Sequence, residues 1–308
     1  MKIYDTMYKD VEAVACETKT IRAVFLPLYG AKFASMTVIE NGRELMEQAV
    51  GEKYKKPSYM GSYIDAECSA FDDMFPTIDQ THCEQFPWEG TLMPDHGEVY
   101  ALPWSFEIEG ECLHMWVYSP RFAYRLDKWV SEKDDGILIS YMARNLSEFD
   151  LDFIYSAHCM LAAEEGAGFL LPFPDNSPCT VTFTDLKELG GYGSKVFWPS
   201  TGEIDFITTP PKKDKVGYKI YFDQQIPEGW FEYRYTDGTS LKVSFDKDAL
   251  PWFGLWVNYG AFKNMYNVAP EPSSAPFDKP DAAKLRGIQS VLEGRGTYKW
   301  HFHFVYRN

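Results

Sequence analysis

Short stretches in which β-branched or aromatic residues alternate with polar residues recur along the chain, and turn residues separate them. Alternation with a period of two is typical of half-buried β-strands, whereas the period of an amphipathic helix is scarce here. Many short strands with turns between them indicate an antiparallel all-β domain. The pattern predicts strands at residues 20–27, 31–39, 104–109, 113–118, 122–130, 136–145, 151–159, 180–183, 218–222, 230–235, 240–245, 255–259 and 296–306.

Turn signals support this series of strands. Asn41-Gly42 follows directly on the strand at 31–39, and Asp-Gly pairs occur at 135–136 and 237–238. These residues tolerate the positive φ angles that tight hairpins require. Segments 49–90 and 160–215 alternate less regularly, so we predict long connections there, where sites are often built. No repeat is evident, and we expect residues 1–308 to form a single domain.

Composition narrows the function classes. The net charge is −15, and no separate cluster of Lys and Arg offsets it. Such a surface repels the phosphate backbone of nucleic acids and anionic lipids, so we expect neither nucleic acid nor a membrane as a partner. Aromatic residues make up 17% of the chain. Their flat faces suit a small ligand with planar apolar surfaces, such as a sugar.

The cysteines indicate a reducing compartment. Six are scattered along the chain without a C-x-x-C pair. A chain of this size does not need disulfides to build a core. The first residues lack the apolar stretch of a signal peptide, and no apolar run reaches the length of a membrane span. We therefore expect a cytoplasmic protein.

Histidine spacing gives no support for a metal. His301 and His303 alternate on the last predicted strand, but a third ligand is missing from the pattern. His96, Glu98 and His158 have a composition that some metal sites use, although no ligand-spacing rule connects them. We predict no metal and no other cofactor.

The segment 90–104 contains the first candidate site residues. His96 lies between Asp95 and Gly97, and Glu98 follows two residues later. The alternation after Glu98 predicts a strand that leaves a tight loop, with His96 and Glu98 on one face. This arrangement would form one wall of a small-molecule site. The alternative is a surface turn whose histidine bonds the backbone.

A second candidate is the pair of adjacent carboxylates Asp72 and Asp73, which precede an aromatic-proline turn at 75–76. Carboxylates in such a place are suited to accept hydrogen bonds from vicinal hydroxyl groups of a ligand. The alternative is a solvated loop.

Three further positions have chemistry suited to a site. His158 ends the predicted strand at 151–159, and the alternative is a buried core histidine. Glu271 lies between two prolines, which would fix a general base in place, and the alternative is a stiff surface turn. Trp256 and Asn258 share one face of a strand, and an indole with an amide is a common way to hold a sugar.

The order of these segments resembles the aldose 1-epimerase (galactose mutarotase) family over nearly the whole chain. The resemblance implies a large antiparallel β-sandwich of galactose-mutarotase type. It depends on residues 30–36, 41–46, 72–78, 94–99, 102–104, 158, 255–258 and 270–272.

The resemblance also implies roles for single residues. Glu271 matches the glutamate that takes the proton from the C1 hydroxyl of a sugar, and His158 matches the histidine that protonates the ring oxygen. His96 matches a second histidine, which bonds the sugar near C1. The implied substrate-binding residues are Asp72, Asp73, Glu98, Trp256 and Asn258.

Family members also carry an aspartate on a middle strand, for which Asp214 and Asp223 are both candidates. The expected function is interconversion of the anomers of a free sugar by acid/base ring opening and reclosure. The alternatives are a non-catalytic carbohydrate-binding protein with the same cleft, or an accessory fold of a lyase or glycosidase. The absence of an evident Lys and Arg cluster disfavours a phosphorylated sugar.

Overall fold

Strands account for nearly all of the regular structure in the computed structural model, which describes residues 1–308. In chain order they are β1 (Lys2–Tyr8), β2 (Val11–Glu17), β3 (Ile21–Leu26), β4 (Lys32–Val38), β5 (Phe71–Met74), β6 (Thr81–His82), β7 (Leu92–Met93), β8 (Ser105–Glu109), β9 (Cys112–Tyr118), β10 (Tyr124–Lys133), β11 (Gly136–Asn145), β12 (Leu151–Phe153), β13 (Ser156–Cys159), β14 (Leu161–Ala162), β15 (Gly168–Leu170), β16 (Ser177–Thr184), β17 (Lys195–Trp198), β18 (Ser200–Thr201), β19 (Ile204–Asp205), β20 (Val216–Phe222), β21 (Trp230–Arg234), β22 (Ser240–Phe245), β23 (Trp252–Tyr259), β24 (Tyr266–Ser273), β25 (Ser290–Leu292) and β26 (Thr297–Arg307).

Helical segments are short. The single α-helix, α1 (Pro280–Lys284), begins at a proline, which is well tolerated in the first helical turn. None of the helices has the length and hydropathy that a membrane crossing requires. Four 3-10 helices complete the structure: Tyr63–Asp65, Val99–Ala101, Lys187–Leu189 and Lys212–Asp214.

Two large antiparallel sheets form the sandwich. The first has 12 strands, in the order β1-β2-β3-β4-β5-β13-β24-β23-β20-β16-β17, with β14 paired to β24 beside this path. The second has eight strands, in the order β15-β21-β22-β26-β11-β10-β9-β8. A hydrophobic cluster of 67 buried residues draws on both sheets. The predicted antiparallel all-β fold is confirmed.

The strand predictions differ from the structure in several places. Strands β1 and β2 were not predicted, and the looser segment 160–215 contains several short strands as well as connections. The strand predicted directly after Glu98 is wrong, because Val99–Ala101 forms a 3-10 helix. The predicted strand at 151–159 is divided into β12 and β13.

A buried ion pair joins the two sheets inside the sandwich. Lys128 on β10 lies 2.9 Å from the Asp73 carboxylate on β5, and both side chains are at most 1% exposed. Lys128 also donates to the Ala31 carbonyl, and the Tyr155 hydroxyl donates to Asp73 at 2.7 Å. These contacts satisfy both charges within the core. Asp73 therefore lies inside the sandwich, and its predicted contact with a sugar is corrected.

Lys128→Met tests this pair. The substitution leaves the Asp73 carboxylate buried without its cation, so we expect the free energy of unfolding to fall by about 3–5 kcal/mol. Urea unfolding followed by tryptophan fluorescence measures the change. Lys247→Met is the matched control, since Lys247 pairs with Asp248 at the surface and should cost less than about 1 kcal/mol. Equal losses for the two variants would contradict a structural role for Lys128.

Candidate active site

A cleft lies over the outer face of the 12-stranded sheet and has two connected halves. The polar half, with a volume of about 610 Å³, is lined by Glu271, Lys219 and Asp278 among others. The apolar half, of about 410 Å³, is walled by residues such as Met160 and Met265. Four residues line both halves: His96, His158, Phe183 and Trp256.

Strand register places the floor of the cleft. Lys219 on β20 pairs with Trp256 on β23, and Gly254 on β23 pairs with Glu271 on β24. Directly opposite residues of antiparallel strands project to the same face, as do residues two apart along one strand. The side chains of these three central strands therefore converge on one surface.

Gly254 leaves space for the carboxylate opposite it. A Cβ atom at this position would lie 3.3 Å from Glu271 Oε2 and 3.0 Å from the Tyr221 ring. Both distances are shorter than an ordinary van der Waals contact between non-bonded atoms, which is about 3.5–4.0 Å. The absence of a side chain at 254 thus allows Glu271 and Tyr221 to occupy their present positions.

The two prolines that flank Glu271 lie within β24, in a stretch that has no partner on one side. Strand β13 pairs with β24 only at Ser156–Ser273, and β14 resumes pairing at Val268. Pro270 and Pro272 lack the N–H groups that a continuous ladder would use on that side. Strand β13 instead follows β5, and this divergence from β24 opens the cleft.

His96 is held by a tight turn against the end of β5. The Gly97 N–H donates to the Pro94 carbonyl, and the His96 N–H donates to the Ile78 carbonyl. His96 has φ 57°, in the left-handed region, and Gly97 has φ 75°. A Cβ at Gly97 would lie 2.3 Å from the Phe75 carbonyl oxygen, so this close approach requires glycine.

Tyr63 connects the two histidines. Its ring stacks on His96 with centroids 4.0 Å apart, and its hydroxyl lies 3.3 Å from His158 Nδ1. The same hydroxyl donates to Asp72 at 2.9 Å, and Asp72 is paired with buried Lys32. Since the hydroxyl proton is directed to Asp72, its oxygen is free to accept from Nδ1–H. In that tautomer the lone pair of His158 Nε2 faces the cleft.

The other ring nitrogen of His158 faces Glu271. His158 Nε2 lies 3.9 Å from Glu271 Oε1, and Lys219 Nζ lies 2.8 Å from Oε2. Lys219 also contacts Asp278 at 2.8 Å. The Glu271 carboxylate is 1% exposed and thus lies between an ammonium and an imidazole nitrogen.

Burial shifts the pKa values of these groups toward one another. Burial raises the pKa of Glu271 above its ordinary value of 4.5, and the positive charge of Lys219 only partly opposes this. Burial lowers the pKa of His158 well below 6.5, with further lowering from His96 and Lys219. The pKa of Lys219 is raised, because the charges of Asp278 and Glu271 outweigh the effect of its burial. Glutamate and histidine with converging pKa values are suited to exchange a proton.

The structure brings together His96, His158, Glu271 and Trp256, four of the predicted site residues, around one cleft. It does not bring Asp72 to the cleft surface as a sugar ligand, because this residue is 4% exposed and its Oδ2 accepts hydrogen bonds from Lys32 and Tyr63.

Glu98 also differs from its predicted place. Its side chain is fully buried and accepts hydrogen bonds from the hydroxyls of Tyr124 at 2.6 Å and Tyr59 at 3.0 Å. The 3-10 helix that begins at Val99 turns Glu98 away from the face on which His96 lies, so the expected shared face is corrected.

Asn258 lines the apolar half, but its amide is already used. Its Nδ2 donates to the Phe262 carbonyl, and its Oδ1 accepts from the Phe262 N–H, which closes a turn. The amide opposite it in the register, Asn267 on β24, has no hydrogen-bond partner. The amide that is free to bind a ligand is therefore Asn267 on β24, and not the predicted Asn258 on β23.

Neither candidate for a middle-strand aspartate lies in the cleft. Asp214 is exposed in the 3-10 helix Lys212–Asp214, and Asp223 pairs with Lys195. The ionisable residue of that region that reaches the cleft is Lys219, and its partner Asp278 comes from the loop before α1. Sequence reasoning missed both. Alternation along 218–222 was the available signal, since it leaves a lysine on the face opposite the core.

Glu98→Ala separates a structural from a ligand-binding role. Loss of two hydrogen bonds to a buried charge should lower the free energy of unfolding by about 3 kcal/mol or more. Sugar affinity of the folded protein, measured by calorimetry, should not change. The exposed Glu89 provides the control variant Glu89→Ala. A tenfold loss of affinity at unchanged stability would instead return Glu98 to the binding site.

No protein-family model and no curated protein sequence matches this chain. Several solved structures are similar over nearly its full length. They include a candidate aldose 1-epimerase from Klebsiella pneumoniae (TM-score 0.74, 13% identity, 98% of this chain and 82% of that one). A galactose mutarotase-like protein from Lactobacillus casei is also similar, with a TM-score of 0.67 and 14% identity over 96% of this chain and 100% of that one. One from Clostridium acetobutylicum has a TM-score of 0.63 and 9% identity over 100% of this chain and 99% of that one. The chain therefore has the galactose mutarotase-like fold that its sequence motifs predicted.

Proposed function

We propose that the protein is an aldose 1-epimerase-like isomerase, which interconverts the anomers of a free sugar. One observation supports this most strongly. Glu271 is a buried carboxylate that lies 3.9 Å from an imidazole nitrogen of His158 and 2.8 Å from the Lys219 ammonium, and all three residues line one cleft. Ring opening of a pyranose requires a base for one oxygen and an acid for the adjacent oxygen, which this pair supplies.

The reaction moves one proton between two oxygens of the sugar. Glu271 takes the proton of the C1 hydroxyl as the bond between C1 and the ring oxygen breaks. Glu271 passes this proton to His158 Nε2 across their 3.9 Å separation, and Nε2 then delivers it to the ring oxygen. The products are an open-chain aldehyde and a hydroxyl at C5. Rotation about C1–C2 and reversal of these steps give the other anomer.

Neighbouring residues support this transfer. Tyr63 orients the His158 ring through Nδ1, so that Nε2 is directed to the cleft. His96 lies with its ring centroid 5.5 Å from that of His158, where it can bond the sugar near C1. Lys219 keeps an ion-pair partner in Asp278 when Glu271 becomes protonated. Both oxygens of Glu271 are shielded from water.

Glu271→Gln and His158→Gln test the two proton-transfer roles. Each removes one transfer, so we expect kcat/KM for mutarotation of glucose or galactose to fall by roughly 10²–10⁴-fold while the fold persists. Polarimetry of freshly dissolved α-anomers measures the rate. Glu232→Gln on the other sheet is the control, since it changes a carboxylate outside the cleft.

Wild-type rates in both cleft variants would refute the mechanism. If the wild-type protein binds sugars without accelerating mutarotation, the non-catalytic carbohydrate-binding alternative is correct instead.

The pH dependence of kcat/KM follows from the two shifted groups. The proton relay starts with Glu271 ionised and His158 neutral, so activity is lost as the pH falls through their pKa values. Because the pKa of Glu271 is raised above 4.5, the acid limb should lie closer to neutrality than for an ordinary glutamate. Because the pKa of His158 is lowered well below 6.5, its imidazole is already neutral at pH 7, so kcat/KM should stay level from pH 7 to 8. A decline between pH 6 and 8 would show instead that a protonated histidine is the acid.

A further inference from the structure

The apolar half of the cleft contains one fully buried amide, Asn267, that the proposed ring opening does not use and that no protein group satisfies. Asn267 is 0% exposed, and neither Oδ1 nor Nδ2 has a hydrogen-bond partner within the protein. Buried polar atoms nearly always have a partner. Asn258, its opposite in the strand register, satisfies this rule through Phe262. The free donor and acceptor of Asn267 therefore point to a group that a ligand supplies.

Asn267 is far from the proposed reaction centre. It precedes Glu271 by four residues on β24, on the same face, which separates their Cα atoms by roughly 13 Å. A hydrogen bond accounts for about 3 Å at each end. The remaining distance exceeds the reach of one pyranose ring. With both side chains directed straight out of the sheet, a ligand that contacts both residues extends beyond a monosaccharide.

Aromatic side chains connect the two positions. On β23, Gly254 lies opposite Glu271, Asn258 lies opposite Asn267, and Trp256 lies between these two positions. Trp256 lines both halves of the cleft. Its ring centroid is 5.4 Å from that of Phe183, and Phe262 lines the apolar half as well. Flat aromatic faces pack against the C–H faces of pyranose rings.

We propose that the apolar half is a second sugar subsite, and that the substrate is a reducing disaccharide. This assignment extends the proposed function. The reducing ring lies over Glu271 and His158, and the second ring packs beside Trp256 with two of its hydroxyls on the Asn267 amide. One amide oxygen and one amide nitrogen match a pair of vicinal hydroxyls, of which one donates and the other accepts. A purely apolar substituent would leave both amide atoms without a partner.

Calorimetry tests the subsite independently of turnover. The probes are maltose, cellobiose and lactose, compared with glucose and galactose, on the wild-type chain. We expect at least one disaccharide to have a Kd at least tenfold lower than either monosaccharide. Asn267→Leu should remove most of this preference, because leucine keeps the volume and loses both hydrogen bonds.

Two controls show that the effect is local. Asn267→Leu removes amide atoms that have no partner, so its melting temperature should be no lower than that of the wild type. Asn145→Leu is the matched variant, since this buried amide donates to the carbonyls of Phe149 and Leu292 outside the cleft. It should lower the melting temperature by a few degrees and leave the ratio of affinities unchanged.

The outcomes separate the subsite from the catalytic proposal. Disaccharide affinity no better than that of monosaccharides would overturn the subsite, as would equal losses for both classes in Asn267→Leu. Tighter binding of 6-O-hexanoylglucose than of every disaccharide would also overturn it, in favour of an apolar substituent. If disaccharides bind tightly but mutarotation is not accelerated, the catalytic proposal fails and the subsite stands. If monosaccharides are turned over but disaccharides bind no more tightly, the subsite fails and the catalytic proposal stands.

Discussion

The interrupted pairing between β13 and β24 is the constraint on which the cleft depends. A sheet closes its hydrogen bonds wherever donors and acceptors meet, and a gap in a central region would normally be filled. Here Pro270 and Pro272 remove the donors that would close it. Strand β13 is therefore held by β5 alone over this stretch, and His158 faces Glu271 across the opening. The same two prolines thus create the space and fix the carboxylate that lies in it.

Buried lysines determine how the carboxylates of this region are divided between structure and chemistry. Asp72 and Asp73 are adjacent, so their side chains leave opposite faces of β5. Each is neutralised by its own lysine, Lys32 in one case and Lys128 in the other. Glu271 also has a lysine partner, but it faces His158 across the cleft as well. This second neighbour suits Glu271 to proton transfer in the proposed mechanism.

The fold could be predicted from the sequence because period-two alternation and turn residues are local signals. The meeting of His96, His158 and Glu271 was predicted only through the order of motifs, since these residues are far apart in the chain. The roles of Glu98 and Asn258 could not be predicted in this way. Whether a buried polar group is satisfied depends on partners such as Tyr124 and Phe262, which only the folded chain brings into contact.

Lys219 was missed for a related reason. Alternation along β20 correctly predicts which face it occupies, but a lysine on the outer face of a strand usually contacts water. Here the loop that carries Asp278 covers part of that face, and Lys219, with a side chain 12% exposed, lies between two carboxylates. Long connections in a β-sandwich thus convert surface positions into site positions, an effect that local sequence patterns do not contain.

Gly254 gives this architecture a simple way to lose its chemistry without losing its shape. A methyl group at this position would press on the Glu271 carboxylate and the Tyr221 ring, while the aromatic walls and histidines would stay in place. If the proposed function is correct, a single codon change after gene duplication would therefore turn an active copy into a sugar receptor without turnover.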